Sequence, residues 1–248
     1  MGTRFELVLG GEDPAALRPA GEAALEEIGA CHERFNRFDD ASLLSHIHRT
    51  APARPVPLDA DSFALFADAL EVWRTSGGAF DSTVPARSMD AVILDPESRT
   101  IALSRPGVTL DLGAIAKGHA LDLAAALLRQ HGVTSAFLHG GSSSALGIGS
   151  PPEGAWRVAL WGGMTVTLTD AALSVSAVWA DNPHPTMDPR TGMALTSARR
   201  AAVIGPAARL ADAWSTAALV LGERPAALGP AWTVHLDPGP DPGPALER

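Results

Sequence analysis

The chain has 248 residues, 46% of them hydrophobic, enough to bury a large core as one big domain or two small ones. A formal net charge of −9 and the lack of any basic run exclude a phosphate-neutralising nucleic-acid face; a polyanionic ligand would need a metal or local Lys and Arg groups. One cysteine, Cys31, excludes an internal disulfide and a multi-cysteine zinc site, and no apolar run approaches the roughly 20 residues that span a bilayer.

In chain order, Phe5, Leu7 and Leu9 alternate and predict a strand with one buried face. The Ala/Leu/Glu-rich run from Asp13 to about Phe35 predicts a helix capped by Asp13, with Pro14 in its first position and a restart at Pro19. In "DADSFALFADALEVWRTSGG", Phe63, Phe66, Leu70 and Trp73 share a helical stripe that Gly77 and Gly78 end. "KGHALDLAAALLRQHG" repeats the pattern with Leu121, Ala125 and Leu128. "WRVALW", "MTVTLT", "RRAAVIG" and "WTVHLD" read as strands, and the helix "AARLADAWSTAALVLG" separates the last two. Long helices among meandering strands predict an α+β fold in a single domain over residues 1–236, with a disordered Pro/Gly-rich tail at 237–248. The opening "MGTRFELVLGG" has no apolar signal core, which places the chain as written in the cytoplasm, or outside it if a leader has been removed.

Several stretches carry candidate chemistry, each with a plain structural alternative. In "LDLGAIAKGHALD", a strand ending at Asp111 meets a helix near Lys117 through small residues, a junction suited to phosphate or simply a turn with a surface lysine. His119 reads as a packed helix residue. "GGAFDSTV" closes a helix and offers Asp81 as an acceptor for a ligand, or forms a capped turn. Asp212 and Thr216 are four apart on a helix and share a face, a pair of hard oxygen donors of the kind Mg²⁺ takes. The separate stripe Leu210, Trp214, Ala217 and Leu221 should pack into the core. "LHGGSSSALGIG" could cradle a phosphate or form a hairpin, and "DPRTG" is a turn in which Asp188 caps and Gly192 permits positive φ.

Taken together and in order, "FNRFDDASLLSHI", "GGAFDSTV", "DLGAIAKGHALD", "HGGSSSALG", "DPRTG" and "ADAWSTAALVLG" resemble the ApbE family of flavin transferases, nearly end to end. The resemblance implies a T-fold-like α+β domain that binds FAD and a divalent metal, Mg²⁺ or alternatively Mn²⁺. It implies transfer of FMN from FAD to a threonine hydroxyl of an acceptor protein with a Ser-Gly-Ala-Thr-like segment, forming a phosphoester and releasing AMP. By the same resemblance, Asp212 and Thr216 match side-chain metal ligands and Ala114 a backbone-carbonyl ligand. Met1, Phe38, Ala79, Phe80, Asp81, Asp111, Lys117, Thr186 and Ser215 align with FAD-contacting positions. Phe38 stands where relatives often have Tyr, so it can stack on a ring but lacks the hydroxyl.

The chain departs from the family pattern at one point. Relatives commonly read H-x-x-D-P-x-T-G, whereas here Pro185 occupies the histidine position and His184 lies four residues before Asp188. His184 and Asp188 are the candidate catalytic pair if the loop bulges by one residue to restore the imidazole. If the base is lost, the alternatives are an FAD pyrophosphatase giving FMN and AMP, or a protein that only binds FAD.

Overall fold

The computed structural model describes residues 3–84, 87–178, 186–195, 197, 199–237 and 239. Its centre is one antiparallel sheet of six strands: β1 (Phe5–Gly10), β2 (Ser135–Gly140), β3 (Ser144–Ile148), β4 (Ala171–Val178), β5 (Arg199–Gly205) and β6 (Thr233–Asp237). The strands pair in chain order, each with its neighbour in sequence, so the sheet is a meander interrupted by helical excursions. The five α-helices among the described residues are α1 (Pro14–Arg34), α2 (Leu43–Thr50), α3 (Ala60–Thr75), α4 (Ala116–Gln130) and α5 (Ala208–Leu221). This is the expected α+β architecture.

Alternation is plain in β2. In β2 every second residue, Ala136, Leu138 and Gly140, is buried. The segment "HGGSSSALG" forms a β-hairpin, with Gly141 at φ 62° between β2 and β3. β3 is buried at all five positions because helices cover one face and a hairpin the other, so it carries no alternation to read. That hairpin, Trp156–Ala159 with Thr165–Leu168, packs its Trp156, Val158 and Val166 on Ala145, Leu173 and Ala202 of the sheet.

On the opposite face α5 lies directly on β4 and β5, α4 packs on α5, β2 and β3, and α1 packs on α4. α5 is buried almost all round, with Asp212, Trp214, Ser215 and a run of alanines enclosed and only Arg209, Leu210, Thr216 and Leu221 half-buried. The expected stripe is therefore too narrow: a helix clamped between a sheet and two helices buries every side, and its alanines make that approach possible. Gly222 ends α5 in the left-handed conformation at φ 73°.

α1 runs unbroken through Pro19, where a restart was expected. The carbonyl that Pro19 leaves without its helical donor belongs to Ala15, which is exposed, so water can replace the missing N–H. The expected tail lies outside the described residues apart from Asp237 and Gly239.

Candidate functional site

The polar face of α5 docks on alternate residues of β4. Asp212 is buried and accepts from the Ser174 hydroxyl at 2.9 Å and from the Gly118 N–H at 3.1 Å, in the first turn of α4. Lys117 Nζ sits 3.3 and 3.4 Å from the two carboxylate oxygens and also donates to the Gly113 carbonyl at 3.3 Å. One turn along α5, the Thr216 hydroxyl lies 3.2 Å from Ser176 Oγ. Ser215 is wholly buried; its hydroxyl donates to the Asp212 carbonyl at 2.9 Å and lies 2.8 Å from Ser176 Oγ. It therefore braces α5 on the sheet rather than facing open space.

Asp111 follows the strand that ends at Leu110. Its carboxylate accepts from the Gly113 N–H at 2.9 Å and pairs with Arg37 at 3.0 Å. Arg37 lies over the ring of Phe38, 4.3 Å from its centroid, and Phe38 is 81% exposed. Together with Cys31, Phe35 and Ala116 these residues line a cavity of about 200 Å³ where α1 ends and α4 begins. His48 of α2 fixes the strand: its Nε2 accepts from the Leu110 N–H at 2.8 Å, and burial holds its pKa below the ordinary histidine value.

Asp81 organises the third loop. It accepts from the N–H and hydroxyl of Thr83 and from the Arg87 N–H at 2.8 Å. Arg87 then crosses to the "DPRTG" turn, donating to the carbonyls of Pro189, at 2.8 Å, and Arg190. In that turn Asp188 accepts from the Arg190 N–H at 2.9 Å and from its guanidinium at 2.9 and 3.0 Å; the Arg190 side chain holds the carboxyl below the ordinary aspartate range. So engaged, Asp188 shapes the turn. Thr186 is half-buried at the near end of this hairpin, where its carbonyl accepts from the Leu195 N–H at 2.8 Å. Ala79 and Phe80 are wholly buried just beyond the end of α3, so neither is open to a ligand, and the Phe80 N–H donates to the Ser76 hydroxyl at 3.1 Å. Met1 and His184 lie outside the described residues.

These groups, scattered over the sequence, are joined by a run of hydrogen bonds. It passes from Asp212 through Lys117, Gly113 and Asp111 to the Ser82 carbonyl, which accepts from the Asp111 N–H at 2.8 Å. The peptide link from Ser82 to its neighbour Asp81 carries it on, and hydrogen bonds resume through Arg87 to the "DPRTG" turn. Arg37, His48, Arg87, Ser174 and Ser176 were not foreseen. The two serines could have been found by asking which residues of "AALSVSAV" face a helix, since they alternate with Leu173, Val175 and Ala177.

The donor set suits a hard divalent cation. Among the described residues no group of three or more His, Cys, Asp or Glu could hold a metal, which disfavours a closed all-protein cage. A single buried carboxylate with a hydroxyl one turn away and a carbonyl at Ala114, beside the Gly113 carbonyl that Lys117 reaches, fits Mg²⁺, which keeps much of its water. The Lys117 ammonium stands farther from Asp212 than the roughly 2.7–2.9 Å of a strong charge-assisted bond, so the carboxylate is not tightly sequestered.

The ApbE family model matches residues 1–88 and 83–228. The FAD:protein FMN transferase of Treponema pallidum (strain Nichols) is 29% identical over 284 aligned positions, covering 89% of this chain and 78% of that protein. The fold matches the apo flavinyl transferase ApbE of Pseudomonas stutzeri with a TM-score of 0.78 at 20% identity, over 89% of this chain and 83% of that one. It matches the ApbE protein of Thermotoga maritima with a TM-score of 0.77 at 23% identity, over 89% and 84%. With its sequence matched over most of its length and its fold shared, the chain belongs to the ApbE family.

Proposed function

We propose that this protein is a Mg²⁺-dependent FAD:protein FMN transferase acting on a threonine of an acceptor protein with a Ser-Gly-Ala-Thr-like segment. The observation that carries the reading is the buried Asp212 carboxylate held between the start of α4, with Lys117 and Gly118, and Ser174 of the sheet. A net charge of −9 opposes any pyrophosphate, so a site for one needs a metal or local cations, and Lys117 at the start of α4 is one such cation. Similarity to proteins named FAD:protein FMN transferase supplies the substrate class.

In the reaction the acceptor oxygen bonds to the FMN-side phosphorus of FAD, the pyrophosphate P–O bond breaks, and AMP leaves. The metal, held by Asp212, Thr216 and the Ala114 carbonyl, would neutralise charge on the phosphate oxygens. Lys117 adds a second cation, and the Arg37-backed ring of Phe38 offers a flat surface for a base or flavin ring. Asp81 and Asp111 present acceptor oxygens from loops that Arg87 and Arg37 hold in place. The hydroxyl proton goes to a base, assigned to His184.

The test is incubation with FAD, Mg²⁺ and a partner bearing a Ser-Gly-Ala-Thr segment, read as fluorescence of the denatured acceptor band and as AMP released. A fluorescent band with AMP, both lost in Asp212→Ala, supports the reading. Free FMN and AMP without a band would replace transfer by hydrolysis, as the displaced His184 allows, and retained FAD without AMP would leave a binding protein.

A further inference from the structure

Strand β4 separates two chemistries. Ser174 and Ser176 bond to α5, while Leu173, Val175 and Ala177 face the other side of the sheet. There the hairpin Trp156–Ala159 and Thr165–Leu168 covers the sheet and leaves a cavity of about 550 Å³. That volume is within the roughly 300–1,000 Å³ of small-molecule sites. None of the described residues assigned above to flavin or metal lines it.

The lining is selective. Beside the aliphatic floor it has Phe137, Trp161 and His139, whose ring stands 3.0 Å from the Glu6 carboxylate, and two arginines, Arg157 and Arg200, and no carboxylate among the described lining residues. In a chain with 28 acidic and 19 basic residues, a wall where Arg200 is balanced by Asp237 and Arg157 has no acidic partner among the described residues favours an anion. Arg200 is pinned: its Nε donates to Asp237 at 2.9 Å, and its guanidinium stands 5.1 Å from the Trp161 ring. Arg157 is exposed and forms no ion pair among the described residues, so its charge is available. The hairpin turn with Ser142 and Ser143 adds hydroxyl donors at the same cavity.

We propose that this cavity binds a small planar aromatic anion. The ring packs on Phe137, Trp161 and the aliphatic floor, and the carboxylate, sulfonate or phosphate group meets Arg157. The site is separate from the flavin reading and stands whether or not that reading does.

Titration calorimetry of 2-naphthoate into the full chain, without FAD or metal, tests it against the neutral 2-naphthalenemethanol. Saturable binding at least about tenfold tighter for the anion is expected, the value of one charge-assisted hydrogen bond. Arg157→Gln should weaken naphthoate about tenfold with an unchanged melting temperature, because the position is exposed. Equal affinity for the neutral analogue, no saturable binding to millimolar concentration, or full affinity in Arg157→Gln would each overturn the assignment.

Discussion

Asp122 and Asp212 cap each other's helices. Asp122 of α4 accepts from the N–H groups of Ala208 and Arg209 at 2.8 and 3.0 Å, at the start of α5, whose own N-cap Ala207 offers no side-chain acceptor. Asp212 of α5 accepts from the Gly118 N–H at 3.1 Å in the first turn of α4, whose N-cap Ile115 likewise offers none. Each helix start thus receives a carboxylate where its free N–H groups and dipole favour one. A candidate metal ligand is in this way also a structural cap, so changes to either aspartate act on stability and on the site together.

Asp122 should leave a signature in the pH dependence of stability. Burial pushes its pKa above the ordinary value, against the pull of the two backbone donors and Arg209. With the folded pKa above the unfolded one, the folded chain keeps its proton longer. Stability from this group is therefore fullest below the unfolded value of about 4 and declines as pH rises from there to the folded pKa. Asp122→Asn should flatten that decline, and Asp122→Ala should cost about 1–3 kcal/mol at neutral pH. Urea unfolding of the three proteins between pH 4 and 7 decides it; parallel profiles for wild type and Asn would dismiss the argument.

Gly118 permits the helix pairing. A Cβ built there would stand 2.1 Å from the Ala208 carbonyl oxygen, which is backbone and cannot swing aside. Gly118→Ala should force α4 and α5 apart, cost about 1–3 kcal/mol or more, and weaken FAD binding with it. A variant as stable as wild type would show that the two helices separate freely, contrary to the reciprocal caps.

The parts of this protein that were legible in its sequence are those with a local signature. The Asp212–Thr216 spacing marks one helix face, the glycines after α3 mark its end, and the alternation of "MTVTLT" marks a strand, all read within a few residues. β3 could be read only as the return arm of a possible hairpin, because both of its faces are covered and periodicity vanishes. Asp122 looked like any polar residue on a helix, since nothing nearby in sequence shows that the start of α5 lands on it 86 residues later. Arg87 was hidden for a related reason: its acceptors are backbone carbonyls 102 and 103 residues away, and a carbonyl has no residue type to recognise.

His119 carries the clearest acid sensitivity. It is 1% exposed, packs edge-on against Phe35, and neither ring nitrogen has a hydrogen-bond partner. Burial first, then Arg209 and Arg34, lowers its pKa to about 4. A folded value below the unfolded 6.5 means that the unfolded chain takes up the proton first, so stability falls as pH drops from 6.5 towards 4. The full loss is on the order of 3 kcal/mol. His119→Leu removes two unsatisfied nitrogens and should match or exceed wild type by about 1 kcal/mol at pH 7, with a shallower acid slope. An unchanged slope would locate the acid sensitivity in another group.

Arg87 tests whether the loops must be tied together for activity. Its N–H reaches Asp81 and its guanidinium reaches the carbonyls of Pro189 and Arg190, so one residue couples the "GGAFD" loop to the "DPRTG" turn. It does so at φ 79°, a conformation that costs a side-chain-bearing residue about 1 kcal/mol or more. Glycine relieves that strain but gives up the clamp, and lysine keeps the charge but has no planar fork to span two carbonyls. Arg87→Gly should therefore melt no lower than wild type while losing about tenfold or more in kcat/KM for FMN transfer, since small displacements of positioning groups cost that much. Arg87→Lys should lose activity nearly as far without gaining stability. If instead the glycine variant transfers FMN at the wild-type rate, the two loops hold their places unaided, and the strained arginine serves neither reaction nor fold.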